Sequence, residues 1–138
     1  MNDIFCRIIA GEIPSAKVYE DDDVLAILDI SQTTLGHTLV MPKAHCASML
    51  DCPQEILSKV MNVAQKVANA AKEALGADGV NILANCGEEA GQTVPHFHVH
   101  VLPRYKGKKD GLCLAFEPHD VDMSSFPELA KRIGEAMK

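Results

Sequence analysis

The sequence predicts a small antiparallel sheet backed by one long helix, and three observations carry that expectation. Short apolar or alternating runs are separated by acidic and glycine-containing turns, the pattern of paired strands. One stretch, ending at Gly76, instead repeats its apolar residues at helical spacing for several turns. A length of 138 residues suits a single domain, residues 1–138, and a hydrophobic content of 47% is enough to build its core. Tryptophan is absent, and phenylalanine and tyrosine are few, so that core must rest on Val, Ile, Leu, Ala and Met.

Taken in order, apolar residues at positions 4, 5, 8 and 9 fit a short helix that stops at Gly11, and Ile13-Pro14 follows as an extended connection. Positions 18–20 and 24–28 read as strands joined by the acidic turn Asp21-Asp22-Asp23, an antiparallel hairpin. Asp29-Ile30-Ser31 ends the second strand, where Asp29 either caps the turn or accepts two hydrogen bonds from a vicinal diol such as a ribose. A third strand over 37–42 brings His37 into the sheet, and Lys43-Ala44-His45 leads out of it. Asp51 is placed as the N-cap of the long helix, with Pro53 in its first turn. Apolar residues at 56, 57, 60, 61, 64, 67, 68, 71 and 75 then form one stripe facing the sheet. Positions 80–85 make a fourth strand, and the glycine-flanked loop 87–91 leads into a fifth. Arg104, Lys106, Lys108 and Lys109 are the densest basic cluster and read equally as a solvated loop or as contacts to a phosphate chain. A helical stretch over 127–137 closes the chain.

The fifth strand declares the chemistry. In His96-Phe97-His98-Val99-His100-Val101 the imidazoles alternate with apolar residues, so all three share one strand face while Phe97, Val99 and Val101 enter the core. A lone strand histidine is usually structural, but three in alternation each carry a desolvation cost and need partners, which points to function. A His-x-His pair can chelate zinc when another ligand arrives from elsewhere. Neutral imidazole is also a nucleophile toward phosphorus when one ring nitrogen is held as donor and the other presents its lone pair. Gln92 and Thr93 place side-chain donors directly before the three histidines, and antiparallel pairing brings Asn85 near them.

A formal charge of −6 argues against a general nucleic-acid surface, leaving room for a small anionic ligand at a local site. The longest apolar runs fall far short of a membrane span. Five cysteines, at positions 6, 46, 52, 86 and 113, are odd in number and follow no framework, and the N-terminus carries no cleavable apolar signal. A cytoplasmic protein with reduced thiols is the natural reading.

With these residues assembled, the chain resembles the histidine triad family, and in particular its bacterial Hit and Hint-like branch. The signature His-x-His-x-His-x-x appears as His96-Phe97-His98-Val99-His100-Val101-Leu102. The likeness extends from Ile4-Phe5-Cys6-Arg7-Ile8-Ile9 and Gly11-Glu12-Ile13-Pro14 through Asp29-Ile30-Ser31 and Gly36-His37-Thr38-Leu39-Val40 to Gly91-Gln92-Thr93-Val94. The resemblance implies an α+β domain whose five-stranded antiparallel sheet continues across a homodimer, with a purine nucleotide site in each subunit. It implies that His98 attacks the α-phosphorus and forms a nucleotidyl-imidazole, while its other nitrogen donates to the carbonyl of His96. By the same likeness His100 contacts the phosphate and helps protonate the leaving group, and His37 and His96 form a supporting hydrogen-bond chain. Asn85, Gln92 and Thr93 would bind phosphate oxygens or the leaving group, Asp29 the ribose, and Ile4, Phe5, Ile8, Ile27 and Ile30 the base.

The Hit and Hint branch implies cleavage of purine nucleoside phosphoramidates. The ending Val101-Leu102-Pro103-Arg104 is also similar to the branch that hydrolyses dinucleoside polyphosphates, and a nucleotide-binding module with little turnover is a third reading. No cofactor is required. Some bacterial members begin with Cys-x-x-Cys and use both thiols with two histidines as a structural zinc site. Asp3 stands in the place of the first cysteine here, so the corresponding set is Asp3, Cys6, His45 and His96.

Overall fold

The computed structural model describes residues 2–138, in five strands and three α-helices joined by short 3-10 turns. Helix α1, Ile4–Ile9, begins where the carboxylate of Asp3 accepts the amide of Cys6 at 2.8 Å, and it ends in a turn at Gly11. Strands β1, Lys17–Glu20, and β2, Val24–Leu28, form the expected hairpin. Its acidic turn is closed by Asp21, whose carboxylate accepts the amides of Asp23 and Val24 at 2.8 Å each. Strand β3, Thr38–Pro42, follows, then helix α2, Gln54–Leu75, strand β4, Gly79–Leu83, strand β5, Val99–Arg104, and helix α3, Phe126–Ala136. All neighbours are antiparallel in the order β1-β2-β3-β5-β4, which is the five-stranded α+β sheet expected.

The alternation of each strand sorts its side chains between two cores. Val24, Ala26, Val40, Val99 and Val101 face α2, where they meet Val60, Val63, Ala64 and Val67 and enclose Phe97. Burying each valine contributes roughly 1.5–3 kcal/mol, so this layer holds α2 on the sheet. Leu25, Ile27, Leu39 and Met41 point to the opposite face and pack against Phe5 with Ile8, Ile9 and Val94 beside them. Short α1 therefore covers only part of that second face. The uncovered part is where the histidines emerge.

Ahead of β5, two boundaries differ from expectation by more than one residue. Asp51 does not cap α2; it closes a capping box with Ser48 around the 3-10 turn Met49–Asp51, and Pro53 takes the N-cap position with no side-chain bond. The cause is local: Ser48 and Asp51 satisfy each other's amides before Pro53 fixes the backbone for the helix. Strand β4 ends at Leu83 rather than Asn85, because the last register pair on β5 is Leu83 with His100. Gly36 is required immediately before β3, since its φ is +90° and an added Cβ would stand 2.7 Å from Leu75 Cδ1.

Candidate active site

The three histidines do share the face away from α2, but only His100 lies in the sheet ladder. β5 starts at Val99, and residues 96–98 approach it as extended chain anchored by the Phe97 amide, which donates to the carbonyl of Cys46 at 2.7 Å. Phe97 is 2% exposed on the α2 side, so its burial holds His96 and His98 on the other. His98 and His100 stand with ring centroids 5.0 Å apart, and Phe5 of α1 packs edge-on against His98 at 4.9 Å.

Hydrogen bonds assign the ring protons. His98 Nδ1 lies 2.7 Å from the carbonyl of His96, which can only accept, so Nδ1 carries the proton and Nε2 keeps its lone pair. The Thr33 amide donates to His37 Nδ1 at 3.4 Å, which places the His37 proton on Nε2. That nitrogen sits 2.9 Å from His100 Nδ1, and His100 therefore holds its own proton on Nε2. Burial lowers the pKa of His98 and His37 and, with the neighbouring imidazoles, brings His100 down to about 4. An imidazole with a free lone pair stands beside one that can donate a proton.

A cavity of about 310 Å³ opens over them. Ile4, Phe5 and Ile8 of α1, with Ile27 and Leu39, form its apolar wall, and Asp29, Thr93, His98 and His100 supply its polar groups. Leu39 and Val94 escaped the sequence reading, although Leu39 is the cross-strand partner of Ile27 and so shares its face. Ile30 sits at the rim and is 100% exposed rather than packed. Asp29 turns one oxygen to the Ser31 amide at 2.8 Å and the other toward His37 Nε2 at 3.7 Å. Gln32 was also missed: its amide donates to the carbonyls of Asp29 and His37 and accepts from the Gly36 amide, stapling the turn that carries both.

Three sequence expectations change here. Gln92 is not a free phosphate donor, because its amide donates to Ala47 and Val94 carbonyls at 2.6 and 2.9 Å and accepts the Gly87 amide at 2.8 Å. It holds the 87–91 loop against the body. Asn85 lies outside the cavity wall, with its amide 3.4 Å from the Gly91 carbonyl. His96 does not join His37 in one chain: its ring is 0% exposed, Nε2 donates to the Pro42 carbonyl at 2.9 Å, and Nδ1 faces Cys6 and Asp3. Only its backbone carbonyl reaches His98. Arg104 is likewise engaged, pairing with Asp110 at 3.1 Å and bonding Asn81 at 2.7 Å, so the basic cluster is a structured loop and its solvated face.

Asp3, Cys6, His45 and His96 converge on one point with the geometry of a metal site. Cys6 Sγ lies 3.6 and 3.5 Å from Nδ1 of His45 and His96, and Asp3 Oδ2 lies 3.2 and 3.4 Å from the same atoms. Ligands at roughly 2.0–2.3 Å from a tetrahedral zinc stand about 3.3–3.6 Å apart, so the donor set fits. The Pro42 carbonyl already holds the His96 tautomer that leaves Nδ1 open, the outer contact a ligating histidine requires. Asp29, His37 and His100 also cluster, but their 2.9 Å nitrogen contact is too short for two ligands of one metal and is a hydrogen bond.

A model of the HIT domain matches residues 10–107, the region that holds the sheet, α2 and all three histidines. The chain belongs to the HIT domain family. Among similar HIT proteins, Protein hit of Bacillus subtilis is 50% identical over 121 residues, 88% of this chain and 83% of that one. The adenosine 5'-monophosphoramidase HNT1 of Saccharomyces cerevisiae is 38% identical over 130 residues, 94% of this chain and 79% of that one. The crystal structure of a HIT family protein from Bacillus anthracis, 47% identical, superposes with a TM-score of 0.92 over 99% of this chain and 98% of its own. A zinc-bound histidine triad family protein from Mycobacterium smegmatis, 41% identical, matches with a TM-score of 0.74 over 97% and 96%.

Proposed function

We propose that this HIT protein hydrolyses purine nucleoside phosphoramidates at the α-phosphate through a nucleotidyl intermediate on His98. The observation that carries the reading is the tautomer of His98, with Nδ1 fixed by the His96 carbonyl and Nε2 left as a lone pair at the floor of the cavity. The base lies against Ile4, Phe5, Ile8 and Ile27, the ribose reaches Asp29, and Thr93 meets the phosphate. His98 Nε2 attacks phosphorus, forming the new N–P bond as the bond to the leaving amine breaks. The His37–His100 pair gains a proton in the field of the anionic phosphate and passes one from His100 Nε2 to the departing nitrogen. Water then attacks phosphorus, returns that proton to the pair, and releases the nucleoside monophosphate and free His98.

A cavity of about 310 Å³ is of a size to take one nucleoside, with the leaving group at its mouth. Parallel incubation with an adenosine phosphoramidate and a diadenosine polyphosphate, following AMP, tests the proposal. Faster release from the polyphosphate would assign the dinucleoside reading, and AMP from neither would leave a nucleotide-binding module.

Asp3, Cys6, His45 and His96 would hold a structural zinc, in keeping with the donor geometry. When bound, the metal supplies a cross-link and neutralises the paired carboxylate and thiolate. Purified without tag or chelator, the protein is expected to carry about one zinc per chain, and Asp3→Ala should lose it with a lower melting temperature. Full zinc retention by that variant, measured by elemental analysis, would remove Asp3 from the site.

Two copies pair through β4. The β1 edge carries Lys17 and Glu20 and a register shift between Lys17 and Tyr19, devices that discourage pairing, whereas β4 is an uncharged edge with Ile82 exposed.

The buried imidazoles also set an acid limit on stability. His37 and His100 have folded pKa values below the usual 6.5, so the unfolded chain binds more protons between those values. Their stabilising contribution is complete above pH 6.5 and declines as pH falls toward about 4. Urea midpoints measured across that window should fall with pH, and a flat profile would mean that these rings protonate freely in the folded state.

A further inference from the structure

We propose that metal loading at Asp3, Cys6, His45 and His96 regulates the nucleotide site: the metal fixes the helix that walls the cavity, so metal and nucleotide each strengthen the binding of the other. The coupling rests on the nucleotide and zinc readings above and goes beyond both. Asp3 caps α1 and Cys6 lies within it, whereas His45 follows β3 and His96 leads into β5. A metal at this point therefore cross-links α1 to the sheet. The same helix supplies Ile4, Phe5 and Ile8 to the cavity wall. Phe5 spans both sites, its ring centroid 4.9 Å from that of His98 and 6.0 Å from that of His96, edge-on to each.

Little else fixes α1. Isolated helices shorter than about 12–15 residues are marginal in water, and this one has six, of which Phe5 alone is buried while Ile4 is 50% exposed. Ile8 and Ile9 add only partial cover at the edge of the second core. Among the described residues, the polar side-chain contacts that leave segment 2–12 for the rest of the chain are those of the donor set itself, at 3.2–3.6 Å. Coordinate bonds of about 2.0–2.3 Å to a shared metal make a far stiffer tie. Ordering α1 costs conformational entropy, and whichever ligand binds second meets a wall already in place. Linkage makes the effect reciprocal: the factor by which metal raises nucleotide affinity is the factor by which nucleotide raises metal affinity. Thr93, His98 and His100 lie outside α1, so a ligand that reaches only them escapes the coupling.

AMP and inorganic phosphate are titrated calorimetrically into zinc-loaded protein and into protein stripped with a chelator, with circular dichroism following the sheet. The loaded form is expected to bind AMP about tenfold more tightly than the stripped form, and phosphate about equally. A second arm uses loaded protein alone, so it decides the matter even if the stripped protein loses its fold. There, the rate at which excess chelator draws out zinc should fall about tenfold with saturating AMP and stay unchanged with phosphate. AMP that binds both folded forms equally, or zinc release indifferent to AMP, overturns the coupling and leaves both sites standing. A phosphate effect as large as that of AMP overturns the part given to α1. Zinc-loaded protein that binds no AMP overturns the nucleotide reading together with the coupling, and protein that takes up no zinc overturns the metal reading with it.

Discussion

His98→Ala is expected to release AMP from an adenosine phosphoramidate at less than about a thousandth of the wild-type rate, since removing a covalent nucleophile commonly costs several orders of magnitude. The same variant should still bind AMP. The other groups that line the cavity, the Asp29 carboxylate, the apolar wall and Thr93, are untouched, and loss of one imidazole contact costs roughly 1–3 kcal/mol. Equilibrium binding and steady-state turnover therefore separate for this substitution. Intact mass of the wild-type protein, quenched rapidly without acid, should reveal the adenylated species, which the variant cannot form. Turnover by the variant at about a tenth of the wild-type rate or better would exclude His98 as nucleophile and bring forward a metal-activated water.

His96→Ala is expected to behave in the opposite way. Its ring is wholly buried, bonds the Pro42 carbonyl and faces Asp3 and Cys6, so truncation leaves a cavity, an unpaired carbonyl and an incomplete metal set. A loss of about 3–5 kcal/mol follows from cavity formation and the broken bond together. The melting temperature should drop by on the order of 10 °C or more. The carbonyl that orients His98 belongs to the backbone and survives the change. Below the melting transition the folded fraction should therefore retain far more turnover than His98→Ala. If His96→Ala stayed folded and were as inactive as His98→Ala, the His96 ring would have a direct part in the chemistry. This contrast between two histidines two residues apart comes from their opposite surroundings, one sealed under α1 and the other open to the cavity.

Periodicity was enough to determine much of this protein. Alternation at 96–101 separates imidazoles from core residues in any extended chain, because successive side chains leave opposite faces. The apolar stripe of α2 and the left-handed stop at Gly76 are equally local, and so are the acidic hairpin turn and the spacing of Asp3 and Cys6 on one helical turn. The roles of individual polar side chains were not legible, because a glutamine or histidine gains its task from the partners that the fold delivers. Gln92 and Gln32 look in sequence like free donors, yet both spend their amides on backbone carbonyls, those of Ala47 and Val94 and those of Asp29 and His37. His96 and His98 occupy equivalent positions in the repeat, and only the arrival of His45, Cys6 and the Pro42 carbonyl from elsewhere divides them into a buried anchor and a ring with Nε2 left free. The pairing of His37 with His100 spans 63 residues and exists because β3 lies beside β5 in the sheet order. Local sequence determined which atoms could do chemistry; strand order and the packing of α1 decided which of them face the cavity with a lone pair free.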